Sequence, residues 1–522
     1  MFKKKINVAL YAIAVFTLFI SINSCNGGGK AGENDSTRVS NNILTDLVAS
    51  NPKFIRYNCA STQGLANLQA METALAIMRK YPCDKGYSWY YQGAIHGAAD
   101  SIAGSIDSLC PSYYGTPSQL QNQLKVSWDN CTHYTGADLH FLLWHRIYIW
   151  YFEKIVRKLS GKADFALPYW DYTNPAHRAM PPLFWKDKHG SLYTASRLSS
   201  LNAGLPIDST VNDNGFTNAL DMTSDYQCKT YFTFNSALET APHNAMHIYI
   251  GGADSNGVIY NEIHQFAYLY GGLMYDPGTA GFDPIFFVHH ANIDYLFETW
   301  NKSSNGAMPN LKQLESMSEE QPYVFFDENG NKVVWTIAQA LDLAYNLDYV
   351  YDTLAPNLDK VQKPKAAVPE NRQEVLSIDM QSPLKAKTQL FNLKILAPVV
   401  NKVETLNALD LSKKSTILSV TVGFMKEPRS LYNVYIDTDK EDKAKLAGVI
   451  AFFGATMKNM KGMEMHKPGS EYTKTFIFDV TDELNVKNIK EKIKIFIVKK
   501  GTRPGTESEI SLKNVKLETI DN

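Results

Sequence analysis

The chain has 522 residues, of which 44% are apolar and 20% are charged, and its formal net charge is −1. This near-neutral balance excludes a nucleic-acid or membrane-surface partner recruited by bulk charge. The length predicts two or three domains, each large enough to bury an apolar core.

The first 25 residues have the order of an export signal. Three lysines at residues 3–5 precede an apolar stretch at residues 8–22 and then small residues. Ile-Asn-Ser-Cys ending at Cys25 resembles a bacterial lipoprotein signal, which implies lipid on Cys25 and anchoring on the periplasmic or cell-surface side of a membrane. A cleaved signal or an uncleaved anchor is the alternative, because the stretch is only slightly shorter than a membrane span. Residues 26–45 are predicted to be a flexible tether.

Residues 46–310 are predicted to form a mainly α domain with long loops. Apolar residues recur at helical spacing in residues 65–78, 141–159 and 285–300, and a further helix is expected around residues 243–250. Four such helices, arranged as a bundle, can enclose a buried pair of metal ions.

Histidines in two of these helices suggest a metal site. Asp283-Pro284 breaks the incoming backbone, so a helix is predicted to begin near Pro284. His289 and His290 then point about 100° apart, and only one of them is expected to face an ion. His243 and His247 are separated by four residues and lie on one helical face. Three histidines are therefore expected to meet at one ion.

A second set of histidines lies nearer the N-terminus. It contains His96, His133, His140 and His145. Sites built only from imidazoles suit copper, zinc, iron or nickel, whereas magnesium and manganese prefer carboxylates. The sequence therefore predicts a second possible trio of imidazole ligands.

Two motifs carry a family resemblance. Phe-Leu-Leu-Trp-His-Arg at residues 141–146, with Glu153 beyond it, is the first. His-Asn-x-x-His at residues 243–247, followed by Asp-Pro-x-Phe-Phe-x-x-His-x-x-x-Asp at residues 283–294, is the second. Together they resemble the tyrosinase, polyphenol oxidase and hemocyanin family of binuclear copper proteins. The resemblance implies two copper ions, dioxygen as co-substrate and a phenolic or catecholic substrate.

The resemblance also implies the metal ligands. The residues at the family's positions are His96 and His145 for the first copper, and His243, His247 and His290 for the second. Asp294 lies one turn after His290 and is expected to orient its ring. His289 is expected to pack or hydrogen-bond outside the metal shell.

The middle ligand of the first copper is less clear. The family has a histidine nine residues before the one in Trp-His-Arg, and here that position is Gly136. We choose His133, because Cys131-Thr132-His133 resembles the family's Cys-x-His arrangement, in which a thioether joins the sulfur to the ring. His140 is the alternative.

Two polar residues flank the second trio. Glu239 lies four residues before His243, and Asn244 follows it directly. The resemblance implies that Glu239 and Asn244 hold a water that accepts the phenol proton. A carboxylate favoured at a helix start and an ordinary polar turn are the alternatives. Whether Met274 or Tyr275 covers the first copper stays open.

The C-terminal part changes character. A strand, Asn-Gly, strand pattern and a helix in residues 320–355 resemble the segment that follows the copper domain in plant polyphenol oxidases. Residues 356–383, broken by prolines, are predicted to be a linker. Residues 384–520 are predicted to form an all-β sandwich. Its predicted strands are residues 391–395, 416–422, 432–436, 474–478 and 493–498.

The cysteines of an exported chain are expected to be oxidised or modified. With Cys25 lipidated and Cys131 in a thioether, four remain, and these allow three pairings. They are Cys59, Cys83, Cys110 and Cys228. Two disulfides are expected, without an assignment.

A methionine cluster has three interpretations. It consists of Met457, Met460, Met463 and Met465, followed by His466. Thioether sulfur selects Cu(I), which favours copper delivery to the buried site. The same loop in a latent form would instead cover the active-site mouth, or its methionines would simply fill apolar gaps.

The predicted function is a copper-dependent phenol oxidase of the tyrosinase or catechol oxidase type, which uses dioxygen to oxidise o-diphenols to o-quinones. Hydroxylation of monophenols and oxidation of o-aminophenols stay open. The alternatives are a hemocyanin-like oxygen binder and a non-catalytic copper-binding lipoprotein.

Overall fold

The computed structural model describes residues 53–97, 110, 123–124, 127, 140–210, 214–252, 259–261, 263, 266–268, 271–309, 323–345, 347–354, 365–366, 372–383, 388–394, 414–437, 444–455, 470–484, 492–500 and 510–521. Several predicted features fall outside these residues. They are the export signal, the tether, Cys25, Cys131, His133 and the methionine cluster with His466.

Helices dominate the N-terminal domain. The described helices are α1 (Thr62–Met78), α2 (Trp89–Ala94), α3 (Phe141–Ser160), α4 (Ser199–Asn202), α5 (Asn214–Ala219), α6 (Tyr231–Leu238), α7 (Asn244–Gly251), α8 (Pro277–Ala280), α9 (Ile285–Asn301) and α10 (Ile337–Tyr345). Short 3₁₀ turns lie at Pro175–His177, Pro182–Phe184, Ile207–Thr210, Asp225–Gln227 and Leu273–Tyr275. Within the described parts of the chain, none of these helices is long and apolar enough to cross a membrane.

The four predicted helices are present, with local differences. Helix α3 ends at Gly161, whose φ of 72° is the left-handed conformation that favours glycine at a helix C-terminus. Helix α9 begins directly after Pro284, as predicted. Helix α7 has eight residues, and the π-helical turn Glu239–His243 precedes it with Ala241 in an extended conformation. His243 therefore lies just before the helix, and the arrangement of the four helices as a bundle stays a prediction.

The strands of this domain are short. They are β1 (Phe54–Arg56), β2 (Ile259–Asn261), β3 (Phe266–Tyr268), β4 (Ala307–Met308), β5 (Tyr323–Phe326), β6 (Lys332–Trp335), β7 (Tyr349–Tyr351) and β8 (Lys365–Ala366). Strands β5 and β6 form the predicted hairpin, and Gly330 in its turn has a φ of 81°. Strand β1 pairs in parallel with β7, which we did not predict.

A buried ion-pair network joins β1 to α3 and α9. Arg56 contacts Glu153 at 2.8 Å and Asp294 at 3.0 Å. Arg146 contacts Asp294 at 2.5 Å and Glu298 at 2.7 Å. Buried charges are tolerated only when they are paired, so the two arginines and three carboxylates need one another. The network fixes the N-terminal strand to the two helices that carry His145 and His290.

The C-terminal domain is the predicted β-sandwich. Its described strands are β9 (Arg372–Pro383), β10 (Thr388–Lys394), β11 (Lys414–Phe424), β12 (Leu431–Asp437), β13 (Lys445–Ile450), β14 (Tyr472–Asp479), β15 (Lys492–Lys500) and β16 (Ile510–Asp521). They form two antiparallel sheets with the orders β10-β15-β12-β13 and β14-β11-β16-β9. Alternate apolar residues of both sheets share one core.

The predicted linker boundary is wrong at its C-terminal end. Residues 372–383, which we assigned to the linker, form strand β9 and pair with β16. The prolines at the start of the predicted linker suggested an irregular backbone up to residue 383. Residues 372–383 are extended instead because they form hydrogen bonds with β16, which lies more than 120 residues later in the chain. The sandwich therefore includes residues before 384.

The two domains pack against each other within a single compact unit, Ser50–Asn522. Helix α6 lies against β14, and α5 lies against β12, β13 and β15. Loops of the sandwich consequently reach the helices that carry the histidines.

One of the two expected disulfides is present. Cys83 and Cys110 are bonded with an S–S distance of 2.03 Å. Cys59 and Cys228 are instead separate buried thiols, so the expectation of a second disulfide among these four is wrong.

The ion-pair network yields a stability prediction. We expect Asp294→Asn to lower the free energy of unfolding of the metal-free protein by about 3–5 kcal/mol, because it leaves two buried arginines short of one partner. Urea denaturation followed by tryptophan fluorescence would measure this, since all eight tryptophans precede residue 336. The control is Asp164→Asn at an exposed pair with Lys162, expected to change the value by under about 0.5 kcal/mol. Equal effects of the two substitutions would contradict the role of the network.

Candidate metal centre

Six described histidines form two adjoining groups. In each group the potential ligand atoms lie within 4.8 Å of one another. The first group contains His96, His145 and His290, and the second contains His243, His247, His289 and His290. All six side chains are buried. His290 belongs to both groups, so two ions held by them would be neighbours.

The local structure explains how these rings meet. His145 lies on α3 and His290 on α9, and their rings stack in parallel with centroids 4.2 Å apart. His96 follows α2, and its Nε2 lies 3.3 Å from Nε2 of His145. The rings of His243 and His247 have centroids 4.5 Å apart, as their spacing of four residues predicted. The structure thus brings together all the predicted ligands that it describes.

Most of these rings are oriented through Nδ1. His96 donates to the carbonyl oxygen of Pro277 at 2.8 Å, and His145 donates to that of Phe141 at 2.8 Å. His247 donates to the carbonyl oxygen of Met274 at 2.9 Å. Because a carbonyl can only accept, Nδ1 carries the proton in each ring. Nε2 is then left unprotonated, as a metal ligand must be.

Burial keeps these imidazoles neutral. It lowers the pKa of His96 to about 4 and that of His243 to about 3. The pKa values of His145, His247, His289 and His290 also lie well below the ordinary value, because burial disfavours the charged ring and the neighbouring histidines add repulsion. At pH 7 the groups therefore offer neutral nitrogen donors.

The donor set fits a pair of copper ions. Neither group contains a carboxylate, and imidazole-only sites suit copper and other late transition metals. Among the described residues, Nε2 of His247, His289 and His290 is buried without a hydrogen-bond partner. A buried polar atom without a partner is unfavourable, and coordination to a metal would satisfy each of these nitrogens.

His289 lies closer to the second group than the helix geometry suggested. Its Nδ1 lies 2.9 Å from the hydroxyl of Tyr172, and its ring centroid is 4.9 Å from that of His247. The hydrogen bond to Tyr172 agrees with the expectation that His289 bonds outside the metal shell, although one of its ring nitrogens also lies within 4.8 Å of the other potential ligand atoms. Both rings reach the cluster, and the choice of His290 as ligand stays a prediction.

The alternative ligand for the first group lies elsewhere. His140 is the residue before α3, and its Nδ1 contacts the hydroxyl of Tyr323 on β5. It belongs to neither histidine group. The prediction of His133 as the third ligand, with its thioether to Cys131, falls outside the described residues and stays a prediction.

The expected role of Asp294 is wrong. Its carboxylate contacts Arg56, Arg146 and the hydroxyls of Tyr349 and Tyr351 at 2.5–3.0 Å. Nδ1 and Nε2 of His290 have no hydrogen-bond partner among the described residues, so Asp294 does not orient that ring. A carboxylate interacts more strongly with the two buried arginines than with a neutral imidazole. The spacing of one helical turn between His290 and Asp294 therefore does not produce a hydrogen bond between them.

Glu239 and Asn244 lie beside the second group. The amide oxygen of Asn244 is 2.9 Å from Nδ1 of His243 and accepts its hydrogen bond. Glu239 is fully buried in the turn before His243. Its charge faces Lys474 on β14 of the sandwich, and burial lowers the pKa of Lys474 while Glu239 and Glu427 oppose that shift.

The sandwich also covers the second group. The ring of Phe453 stacks on His247 with centroids 3.9 Å apart and planes 12° apart, and it lies 5.8 Å from His243. Sequence reasoning missed Phe453 and Lys474, because no spacing indicates which residue of a distant domain reaches a site. Of the two residues considered as a cover for the first copper, Met274 instead binds His247 through its carbonyl, and Tyr275 lies 5.2 Å from Arg429 of the sandwich.

The sharing of His290 leads to a prediction about metal content. We expect His290→Gln to lower copper, the metal implied by the family motifs, from two ions per chain to one or fewer, because this ring borders both groups. His289→Gln should retain two ions, and so should the exposed control His189→Gln. Elemental analysis of copper-loaded protein would measure the content. Loss of an ion only in His289→Gln would identify His289 as the ligand instead.

Known proteins share these features. The family model for the common central domain of tyrosinase matches residues 87–197 and 197–303. Tyrosinase HcTyr1 of Hahella sp. (strain CCB-MM4) is 27% identical over 447 residues, which cover 79% of this chain and 87% of that protein. A chloroplastic polyphenol oxidase of Malus domestica is 26% identical over 320 residues, which cover 56% of this chain and 48% of that protein. This chain thus spans about half of the plant relative.

A solved structure has the same fold across both domains. Latent aurone synthase, a polyphenol oxidase, aligns with a TM-score of 0.59 over 91% of each chain at 18% sequence identity. Its match extends through the helical domain and the sandwich, whereas the family model covers only the helical part. Residues 87–303 therefore match the common central domain of tyrosinase, and the chain is similar over most of its length to a tyrosinase and, in fold, to a plant polyphenol oxidase.

Proposed function

We propose that this protein oxidises o-diphenols to o-quinones with dioxygen at a binuclear copper site. The observation that carries the proposal is the pair of adjoining histidine groups, buried, neutral and joined at His290. The two groups would hold two ions as neighbours, because His290 borders both. When bound, two copper ions supply the electron transfer that couples dioxygen reduction to oxidation of the phenol.

The protein's own contribution is to hold the ligands rigidly and keep water out. Carbonyl oxygens fix the rings of His96, His145 and His247 before any metal enters. Phe286 packs edge-on against His96 with centroids 4.8 Å apart, and Phe141 lies 4.7 Å from His243. An apolar wall of this kind lowers the local dielectric and strengthens the electrostatic interactions of the bound substrate.

We further propose that Glu239 and Asn244 handle the phenol proton. Glu239 is a buried carboxylate four residues before His243, and Asn244 bonds the ring of His243. A carboxylate in this place can accept a proton from the phenol through a bound water, and the amide positions that water. Hydroxylation of monophenols depends on this step more than oxidation of catechols, because a monophenol is the weaker acid in the site.

The docked sandwich is expected to keep the enzyme latent. Phe453 lies parallel to His247 at 3.9 Å, where the aromatic ring of a substrate would stack. We expect a phenol to reach the second group only after this ring moves. The same cover would suit an oxygen carrier of hemocyanin type, which takes dioxygen but no phenol, so turnover of a catechol separates that alternative from an oxidase.

Oxygen uptake tests the proposal. We expect copper-loaded Phe453→Ala to consume dioxygen with a simple catechol at least about ten-fold faster than the unsubstituted chain, because the aromatic cover is removed. Met425→Ala is the control, since Met425 is an exposed residue of the same domain. An oxygen electrode and the quinone absorbance would follow the reaction. Copper-loaded Phe453→Ala that turns over no catechol would contradict an oxidase and favour an oxygen binder or a copper-binding lipoprotein.

The proton-handling step has its own control in the same assay. In the Phe453→Ala background, Glu239→Gln should retain copper and lower kcat for a monophenol by roughly 10²–10⁴, the usual contribution of a general base. Catechol oxidation should fall much less. Equal losses for both substrates would show that Glu239 acts on the fold or the metal rather than on the monophenol proton.

We also propose that the protein is exported and anchored by lipid at Cys25, on the basis of the signal-like residues 1–25. Expressed in a bacterium that processes lipoproteins, the unsubstituted chain should incorporate labelled fatty acid and partition with membranes. Cys25→Ser should abolish both. A Cys25→Ser variant that still fractionates with membranes to the same extent would instead support an uncleaved apolar anchor.

A further inference from the structure

A small cavity lies where the sandwich meets the helical domain. Its volume is about 30 Å³, enough for one or two water molecules. Carboxylates enter it from both sides, with Asp221 and Asp225 on the helical domain and Asp479 on β14. The thiol of Cys228 and the segment Thr240–Ala241, which separates Glu239 from Pro242, line the same cavity.

One carboxylate oxygen in this cavity is not satisfied. Oδ1 of Asp479 accepts hydrogen bonds from the backbone N–H of Thr481 at 3.1 Å and from its hydroxyl at 2.5 Å. Oδ2 of Asp479 is buried and has no hydrogen-bond partner among the described residues. A buried charged oxygen without a donor is costly, and protonation of the carboxyl removes that cost.

The charges that face these carboxyls are mostly negative. Asp225 faces Asp221 on its own segment and Glu483 of the sandwich, and it also borders Tyr226 and Cys228. The interface therefore brings together carboxylates that lie on separate domains, and their repulsion is felt only while the domains are docked.

Two lysines of the described residues face these carboxyls, and each already donates a hydrogen bond to another group. Glu483 faces Asp479, Asp482 and Lys445, and Asp479 faces Asp482 and Lys229. Nζ of Lys445 donates to the carbonyl oxygen of Asp482 at 3.1 Å, and Nζ of Lys229 donates to Asn305 at 2.5 Å. Neither lysine is hydrogen-bonded to a carboxylate of the cavity.

Docking accordingly favours the protonated carboxyls. Burial, followed by the neighbouring carboxylates, raises the pKa of Asp225 to about 8. Burial also raises the pKa of Glu483 to about 7 and that of Asp479 to about 6. The docked state thus binds protons that the separated domains would release between about pH 4 and pH 8.

We propose that this cavity is a pH-dependent latch, which holds the sandwich on the helical domain in acid and releases it as the pH rises past neutrality. The sign follows from linkage. A carboxyl whose pKa is higher in the docked state stabilises docking fully at pH values below its ordinary pKa. This stabilisation is lost as the pH rises through the pKa that the carboxyl has in the docked state. Each such carboxyl weakens docking by up to about ten-fold per pH unit within that window.

The latch adjoins the cover of the metal centre. Thr240 and Ala241, which line the cavity, lie in the turn that carries Glu239 and His243. Release of the sandwich would withdraw Phe453 from His247 in the same movement. Docking itself does not depend on the proposed oxidase activity, so it can be measured without turnover.

Two buried thiols provide the measurement. Cys228 lines the cavity, whereas Cys59 is buried within the helical domain beside Tyr169. The full copper-loaded chain is treated with a neutral alkylating reagent between pH 5 and pH 8, and peptide mass spectrometry gives the rate at each thiol. We expect the ratio of the Cys228 rate to the Cys59 rate to rise at least about ten-fold over this range, because only Cys228 is uncovered by undocking. A ratio that stays constant would overturn the proposal.

Charge-neutral variants identify the groups responsible. Asp225→Asn and, from the other side of the interface, Glu483→Gln should each lower the Cys228 rate at pH 8 by several-fold. Removal of a carboxylate next to the thiol would by itself increase its reactivity, so a decrease can only come from tighter docking. Glu471→Gln is the matched control, because this carboxylate adjoins β14 but pairs with Lys513, away from the cavity. Unchanged or increased Cys228 rates in both variants would overturn the latch, and X-ray scattering at the two pH extremes checks undocking independently.

Discussion

The hydrogen bonds from Nδ1 of the buried histidines to backbone carbonyls are the constraint on which the metal centre depends. Each bond fixes both the direction of a ring and the location of its proton, so that the opposite nitrogen is available as a donor. The accepting carbonyls of Met274 and Pro277 belong to the segment between α7 and α9, in the 3₁₀ turn Leu273–Tyr275 and at the start of α8, and that of Phe141 belongs to α3. Correct folding of this segment is therefore as necessary to the site as the histidines themselves.

Much of this centre could be predicted because the signals are local. The spacing of His243 and His247, the start of α9 after Pro284 and the long helix α3 all follow from residues close together in sequence. The alternation of apolar residues similarly predicted five of the eight described sandwich strands, and it missed β9, β13 and β16. These features need no knowledge of what packs against them.

The misses share a different cause, since each was decided by a distant part of the chain. Asp294 is engaged by Arg56, which is more than 230 residues away, and β9 is held by β16. Phe453 reaches His247 from another domain. The periodicity of apolar residues does not predict contacts between residues that are far apart in sequence. Tertiary contacts outweighed the local pattern at each of these positions.

The parallel pairing of β1 with β7 has a consequence for how the chain tolerates cutting. Arg56 and its partners Tyr349 and Tyr351 all precede the first strand of the sandwich. A protease that cleaves after Leu354 would therefore leave the pairing of β1 with β7, and the contacts of Arg56 with Tyr349 and Tyr351, intact within one fragment. Loss of the C-terminal third of the chain is thus compatible with a surviving, exposed metal centre, so a single proteolytic cut could activate the protein irreversibly.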